Sequence, residues 1–266
     1  MEPHAFTEYI LQRGDELYRP MPWRTDTRAY YILVSELMLQ QTQVARVMPK
    51  FEAFIAAFPD TKTLAAASLS DVLVLWNGLG YNRRAKFLHE AARMVEQRYG
   101  GVMPTTAVAL QTLPGVGVNT AGAIMTYAYN QLEPFIETNV RTVYIHHFFA
   151  NETQVDDTHI RTLLEATIPP EHPREFYWAL MDYGTYLKAN GVRNVAKSKH
   201  YKKQSALEGS VRQMRGRLVR QLSAGEVTMQ RLLDEHGMDQ RFSVALEGLQ
   251  REGLIEIIND TVRLTK

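Results

Sequence analysis

Leu113-Pro-Gly-Val-Gly-Val-Asn-Thr-Ala-Gly122, with Glu137-Thr-Asn139 shortly after it, decides how this chain is read. Two glycines spaced Gly-x-Gly form a tight turn. The small residues Thr120, Ala121, Gly122 and Ala123 follow and can start a helix. Glycine lets the backbone come close to a ligand, and a helix N-terminus offers unpaired N–H groups at the positive end of its dipole. Together they suit a phosphate of a nucleic-acid backbone, with a carboxylate nearby. A plain turn between two helices would read the same way.

Helical spacing dominates the chain around that turn. Apolar residues Ile32, Leu33, Leu37 and Val44 predict a helix over 30–44, extended by Met48. Phe51 to Phe58 continues in the same style until Pro59. Ser70-Asp71 reads as the cap of a helix over 72–76, and Asn77-Gly78-Leu79-Gly80 breaks it. Arg83 to Tyr99 is a long amphipathic helix ended by Gly100-Gly101. Further helices are expected over 106–111, 120–129, 140–149, 158–166 and 174–188. Almost nothing alternates with a period of two before the C-terminus, so the core is all-α.

The composition shifts after Lys188. Ten basic residues between Lys188 and Arg220 face one acid, Glu208. Gly191, Asn194 and the polar stretch to Gln204 read as a linker, either a solvated joint or a phosphate-contacting segment. Beyond Glu208, helices are expected over 211–222, 227–235 and 240–252. A strand-like 254–258, a turn at Asn259-Asp260 and an alternating 261–265 follow. Three helices and a hairpin are the order of a small α+β winged helix. Its third helix carries Glu247 and Glu252 beside Arg241 and Arg251, which favours docking over sequence reading.

Bulk numbers exclude whole classes. The 266 residues hold no cysteine, so disulfides, thiolate zinc sites and iron–sulfur clusters are ruled out. A formal net charge of +1 does not itself announce a nucleic-acid partner; charge distribution matters more. No apolar run is long enough to span a bilayer and the first residues lack a leader pattern, so a cytoplasmic location is expected, nucleoid-associated in a bacterium.

Three motifs carry a resemblance: Ser35-Glu-Leu-Met-Leu-Gln-Gln-Thr-Gln-Val44, Trp76-Asn-Gly-Leu-Gly-Tyr81 and Leu113-Pro-Gly-Val-Gly117. Pro22-Trp23-Arg24 and Trp178-Ala-Leu-Met-Asp182 support them. Residues 20–187 resemble the helix-hairpin-helix DNA glycosylases, and within them the MutY-like adenine glycosylases. The resemblance implies a glycosylase core over residues 1–204, with a six-helix subdomain over 30–137 and a second formed by 1–29 with 138–204. The winged-helix-like domain is then 205–266. The expected partner is double-stranded DNA carrying a mismatch or lesion, met by a monomer with no membrane involvement. The expected function is hydrolytic removal of a mispaired base, adenine opposite guanine or 8-oxoguanine. A thymine or uracil mismatch enzyme and a non-catalytic lesion binder are the alternatives.

Breaking an N-glycosidic bond builds positive charge on the sugar, so one acid must protonate the leaving base and one carboxylate must stabilise the cation. Glu36 lies among Leu33, Leu37 and Leu39, where burial would keep it protonated. By periodicity alone it could equally be a partly exposed helix glutamate, and the resemblance gives it the acid role. Glu137 stands where the family has aspartate, one methylene longer; it is the second carboxylate or merely a helix cap. Asn139 matches an asparagine that orients the carboxylate or water, and is also a good N-cap. The resemblance places Gln40, Gln41 and Tyr81 in the opened duplex, Tyr81 by stacking, though a turn tyrosine packed on a helix fits as well. Arg83, Gly115, Gly117, Asn119 and Thr120 complete the expected DNA contacts around it. Asn119 stands where bifunctional relatives have a Schiff-base lysine, which implies a monofunctional enzyme. The family's four-cysteine cluster is missing, and Lys199, Lys202 and Lys203 are expected to take over its phosphate contacts. No other cofactor is expected, except a monovalent cation that the resemblance implies on the backbone of Leu113 and Val116. The family's usual C-terminal domain, which reads 8-oxoguanine, is larger than residues 205–266 and different.

Overall fold

Apolar residues at helical offsets, punctuated by caps and glycines, produce the element order of the computed structural model, which describes residues 2–201 and 204–266. Helices α1 (Pro3–Leu17), α2 (Pro22–Thr25), α3 (Ala29–Leu39), α4 (Val44–Ala57), α5 (Thr61–Ala66) and α6 (Leu69–Trp76) come first. Then follow α7 (Arg83–Tyr99), α8 (Ala107–Leu110), α9 (Val118–Tyr129), α10 (Thr138–Phe148), α11 (Asp157–Thr167) and α12 (Pro173–Ala189). The C-terminal part holds α13 (Val211–Leu222), β1 (Val227–Thr228), α14 (Met229–His236), α15 (Gln240–Arg251), β2 (Ile255–Ile258) and β3 (Thr261–Leu264).

The chain divides into two units. The first takes the described residues of 1–32, 105–112 and 116–203. Its core is built on α12. Gly14 lets α1 lie against that helix, since a Cβ there would come within 2.5 Å of Ala179 Cβ. Phe135 and Tyr177 stack at 4.1 Å, and the Tyr177 hydroxyl both accepts from Phe135 N and donates to Phe135 O. The buried Asp182 carboxylate receives Arg24 Nη1 at 2.6 Å and Nη2 at 3.0 Å. Pro22-Trp23-Arg24 and Trp178–Asp182, read separately in the sequence, are therefore one joint. A buried ion pair needs this many bonds to offset its desolvation.

The second unit takes residues 33–104, 113–115 and 204–266. Leu33, Val34, Leu37 and Met38 of α3 are buried, as are Phe51 and Phe54 of α4, Trp76 of α6 and Leu88, Ala92 and Val95 of α7. In the C-terminal part, Met214, Leu218 and Leu222 of α13 and Phe242, Ala245 and Leu249 of α15 are buried. The sheet is antiparallel in the order β1-β3-β2, with Val262 opposite both Val227 and Ile257. Lys86 Nζ donates to Glu252 O at 2.7 Å and ties α7 to the end of α15.

Several boundaries differ from the sequence reading. The helix expected over 30–44 stops at Leu39 and resumes at Val44, with Gln41 at φ +57° between them. Helix α1 has no counterpart in the sequence reading. The cap of α6 is Ser68, whose side chain accepts from Asp71 N, not Ser70. Residues 227–228 pair with β3 before α14 begins, so that helix starts at Met229. The hairpin turn at Asn259 and Asp260 stands as read, both at positive φ.

Candidate nucleic-acid interface and active site

In the second unit, Glu36 sits on α3 between fully buried neighbours, Ser35 and Leu37, yet it remains partly exposed. This is the partly exposed alternative of the sequence reading rather than full burial, on a helix that is otherwise buried almost all round. One turn later α3 ends. Gln40 is partly exposed and Gln41 exposed. The second expected duplex contact is also in a turn. Gly78 at φ +95° and Gly80 at φ +71° lead into Tyr81 at φ +48°. Left-handed backbone is unfavourable for Gln41 and Tyr81, so something else must hold both turns.

Arg84 does so. Its residue is 6% exposed, and its Nη1 donates to the carbonyls of Leu37 at 2.7 Å, Met38 at 2.9 Å and Gln40 at 2.6 Å. Its Nη2 donates to Gly80 O at 2.9 Å and Leu79 O at 3.2 Å. These are carbonyls at the end of α3 and in the tyrosine turn, and one planar fork reaches both sets. Burial pulls the guanidinium down to about 10, still protonated at neutral pH. The sequence reading missed Arg84, although a signal was there. It falls on the buried face of α7 with Leu88, Ala91 and Val95, where an unpaired charge is out of place. Its neighbour Arg83 is exposed, with its guanidinium 4.9 Å from the Phe87 ring centre.

Gly115, in the same unit, needs to be glycine. Its φ is +79°, and a Cβ would come within 2.9 Å of Phe87 Cβ. Gly117, in the first unit, does not: its φ is −92° and nothing lies within 4 Å of a built Cβ. Gly117 is the N-cap of α9 and offers no side chain to the first-turn N–H groups. Val118 and Asn119 are exposed and Thr120 partly so, leaving that helix end open. Asn119 Nδ2 donates to Ile136 O at 2.8 Å. The start of α9 is thereby fastened to the residue before Glu137.

Glu137 is the N-cap of α10. Its Oε1 accepts from Asn139 N and, at 3.0 Å, from Val140 N. Its Oε2 receives Asn139 Nδ2 at 3.4 Å. The cap alternative is therefore realised, and it does not compete with a chemical role, because Oε2 is only weakly engaged. Asn139 is inside the first turn rather than a cap, so that reading of it is corrected. Its Oδ1 is buried without a partner. The Glu137 carboxyl is packed round by protein although the residue keeps some surface, and this burial pushes it above the ordinary glutamate value. The two backbone N–H bonds and the charges of Lys188 and Arg141 oppose that shift. Lys188 is in turn lowered by burial and raised by Glu137. Gly184 makes the approach possible: a Cβ there would stand 2.6 Å from Asn139 Cβ and 3.0 Å from Asn139 O.

Lys199 forms an ion pair with Asp156 at 3.6 Å, next to the bridge between Val155 and Ser198. Lys202 and Lys203 lie outside the described residues. Among the described residues no group of three or more His, Asp or Glu is placed to hold a metal. The structure thus gathers Glu36, Gln40, Gln41, Tyr81, Arg83 and Gly115 in one unit. Gly117, Asn119, Thr120, Glu137, Asn139 and Lys199 lie in the other.

Comparison with known proteins bears on the same residues. The model of the HhH-GPD superfamily of base excision DNA repair proteins matches residues 34–170, which include Glu36, both glutamines, Tyr81, the hairpin and Glu137. An adenine DNA glycosylase of Buchnera aphidicola subsp. Baizongia pistaciae is 35% identical over 183 residues, covering 66% of this chain and 51% of its own length. The chain thus spans about half of that relative. An adenine DNA glycosylase of Mycolicibacterium smegmatis is 36% identical over 270 residues, covering 93% of this chain and 91% of its own. A solved thermostable thymine-DNA glycosylase matches with a TM-score of 0.61 at 28% identity, covering 68% of this chain and 84% of its own. A match over more than half the chain, and a relative aligned along nearly its whole length, make this chain a member of the HhH-GPD superfamily of base excision DNA repair proteins.

Proposed function

We propose that the chain is a monofunctional adenine DNA glycosylase that acts as a monomer on duplex DNA. It flips an adenine mispaired with guanine or 8-oxoguanine and hydrolyses its N-glycosidic bond. The observation that carries this reading is the Asn119–Ile136 bond. It fastens an open helix N-terminus, suited to a backbone phosphate, to the segment that presents Glu137. The adenine DNA glycosylases among the relatives support the choice of base.

Glu36 donates a proton to a ring nitrogen of the adenine, which leaves with the electron pair of the glycosidic bond. The sugar becomes an oxocarbenium-like cation, and the Glu137 carboxylate stabilises it at C1′. Water then adds at C1′, and its proton returns to the Glu36 carboxylate. Glu137 must be ionised at this step, which the N–H bonds of α10 and the Lys188 charge favour against burial. Asn119 carries no amine, so no Schiff base forms and the strand stays intact. Tyr81 and the Gln40–Gln41 turn enter the duplex. Lys199, with Lys202 and Lys203, contacts phosphates, and the backbone carbonyls of Leu113 and Val116 would hold a monovalent cation, whose charge would favour a nearby phosphate.

The test is a panel of single-mismatch duplexes, treated with alkali to cut abasic sites. Adenine release that needs alkali for strand scission is the expected result. Release that survives Glu36→Gln defeats the mechanism. Release of thymine opposite guanine instead assigns the activity printed for the solved relative. Tight binding with no release from any duplex makes the chain a lesion binder.

A further inference from the structure

The tip of Tyr81 is held by the C-terminal part of the chain. Arg212 of α13 directs Nη1 at the Tyr81 hydroxyl, and its guanidinium carbon stands 5.3 Å from the ring centre. The same guanidinium is fixed from the other side, where Nη2 donates to Ser205 O at 3.0 Å. Gln204 donates from Nε2 to the same hydroxyl and, at 3.2 Å, to Gln41 Oε1. Among the described residues, both partners of the Tyr81 hydroxyl therefore come from residues 204–212. One of them also grips the other exposed turn residue.

Packing alone does not fix this ring. Tyr81 borders a cavity of about 410 Å³ whose walls include Gln40, Arg83 and Phe87. Its backbone is in the left-handed region, which a tyrosine keeps only when its surroundings over-determine it. Arg84 restrains the base of the turn, with its backbone N donating to the Tyr81 carbonyl at 2.9 Å and its guanidinium carbon 5.4 Å from the ring centre, but the bonds to the hydroxyl come from Gln204 and Arg212. A rigid wedge must be aimed before it meets the base stack, because ordering it on binding costs affinity.

We propose that Arg212 is a positioning residue for Tyr81, so that the C-terminal segment, and not the glycosylase core alone, aims the side chain that opens the duplex. This rests on the reading of Tyr81 as a duplex-entering residue. The fork is what matters: one donor is spent on Ser205 O and one on the hydroxyl, with the guanidinium plane over the ring. A lysine could supply charge and one bond but not the brace.

The test uses the full chain and a duplex with a tetrahydrofuran abasic analogue flanked by 2-aminopurine, whose fluorescence is quenched when an aromatic side chain stacks on it. Arg212→Ala is expected to raise the concentration for half-maximal quenching about tenfold, the value of one charge-assisted hydrogen bond at a part-exposed site. Tyr81→Phe, which probes the same bond from its other side and keeps the ring, is expected to do the same. The double variant is expected to be no worse than either. Arg212→Lys should recover only part of the loss. Arg220→Ala, which removes the same charge from an exposed position of α13, should match the unaltered chain. The idea is overturned if Arg212→Ala stays within twofold of the unaltered chain, if it merely equals Arg220→Ala, or if the two clamp substitutions add. Adenine release is measured on the same preparations. Its absence in the unaltered chain would sink the proposed activity while the quenching cycle still decides the clamp.

Discussion

Removing Arg84 should unfasten two functional turns at once. In Arg84→Ala the carbonyls of Leu37, Met38, Gln40, Leu79 and Gly80 all lose the guanidinium, while Gly80 O keeps Trp76 Nε1 at 3.2 Å and the Thr42 hydroxyl stays at 3.3 Å from Gln40 O and 3.5 Å from Leu79 O. Gln40 and Gly80 are partly exposed and can turn to water; Leu37 and Met38 are fully buried and cannot. Two stranded buried carbonyls cost about 1–3 kcal/mol each, and relief from burying the cation offsets part of that, so a net loss of about 3 kcal/mol is expected. For a chain of this size that lowers Tm by about 6–9 °C. The left-handed turns at Gln41 and Tyr81 should relax together, so excision of adenine should fall by about a hundredfold, more than the stability loss alone explains. Arg84→Lys keeps the charge but not the fork, and should recover less than half of either quantity. Thermal melts by circular dichroism and alkali-revealed excision measure both. A Tm within 2 °C of the unaltered chain would mean that the turns stand without the guanidinium, and the account of them would be wrong.

Four further outcomes follow from the geometry. Gly115→Ala, at φ +79° and 2.9 Å from Phe87 Cβ, should cost about 2–3 kcal/mol. Gly117→Ala, with open space around it, should leave Tm unchanged yet weaken DNA binding about tenfold under the proposed approach of its backbone to a phosphate; equal melting losses for the two variants would contradict this. Glu137→Gln should abolish excision and also change the pH dependence of stability. The folded carboxyl is raised above 4.5, so its ionisation disfavours the folded state. The contribution is intact below the ordinary value and lost as pH rises through the folded one. Relative to the unaltered chain, the glutamine variant should gain Tm with rising pH above about 4.5 and gain nothing below it; a gain that is the same at all pH values would assign it to packing. Gly184→Ala should cost about 2 kcal/mol and lower kcat more than it raises KM, since the methyl has nowhere to go but into Asn139; a change in KM alone would place the effect away from the carboxylate.

Much of the site was legible because it rests on local signals. Helical periodicity gave α7, α12, α13 and α15 to within a residue or two, and Gly100 and the Asn259-Asp260 pair stopped their elements at the left-handed positions such residues allow. The hairpin glycines could be read from residue type and spacing, whereas the acid role expected of Glu36 and the meaning of Asn119 came only from the family resemblance. The break after Leu39 could not: Leu37 and Val44 keep helical spacing across the polar Gln40–Gln43, and the helix ends there because Arg84, far along the chain, takes its last carbonyls.

The sequence by itself determined the family, the all-α core and which residue types stand at the chemical positions. These depend on backbone propensity and on groups that either are or are not present, as with cysteine. Tertiary structure decided how those residues are held: Glu137 as a cap with Oε2 left weakly engaged, Asn139 beside it because Gly184 leaves room, Arg24 joined to Asp182, and Tyr81 gripped by Arg212. The Glu137 cap is local, but the other three join segments distant in sequence, two by bonds and Gly184–Asn139 by close approach. Those three depend on which face of a helix turns inward and how closely the backbones approach, and no local pattern carries that information.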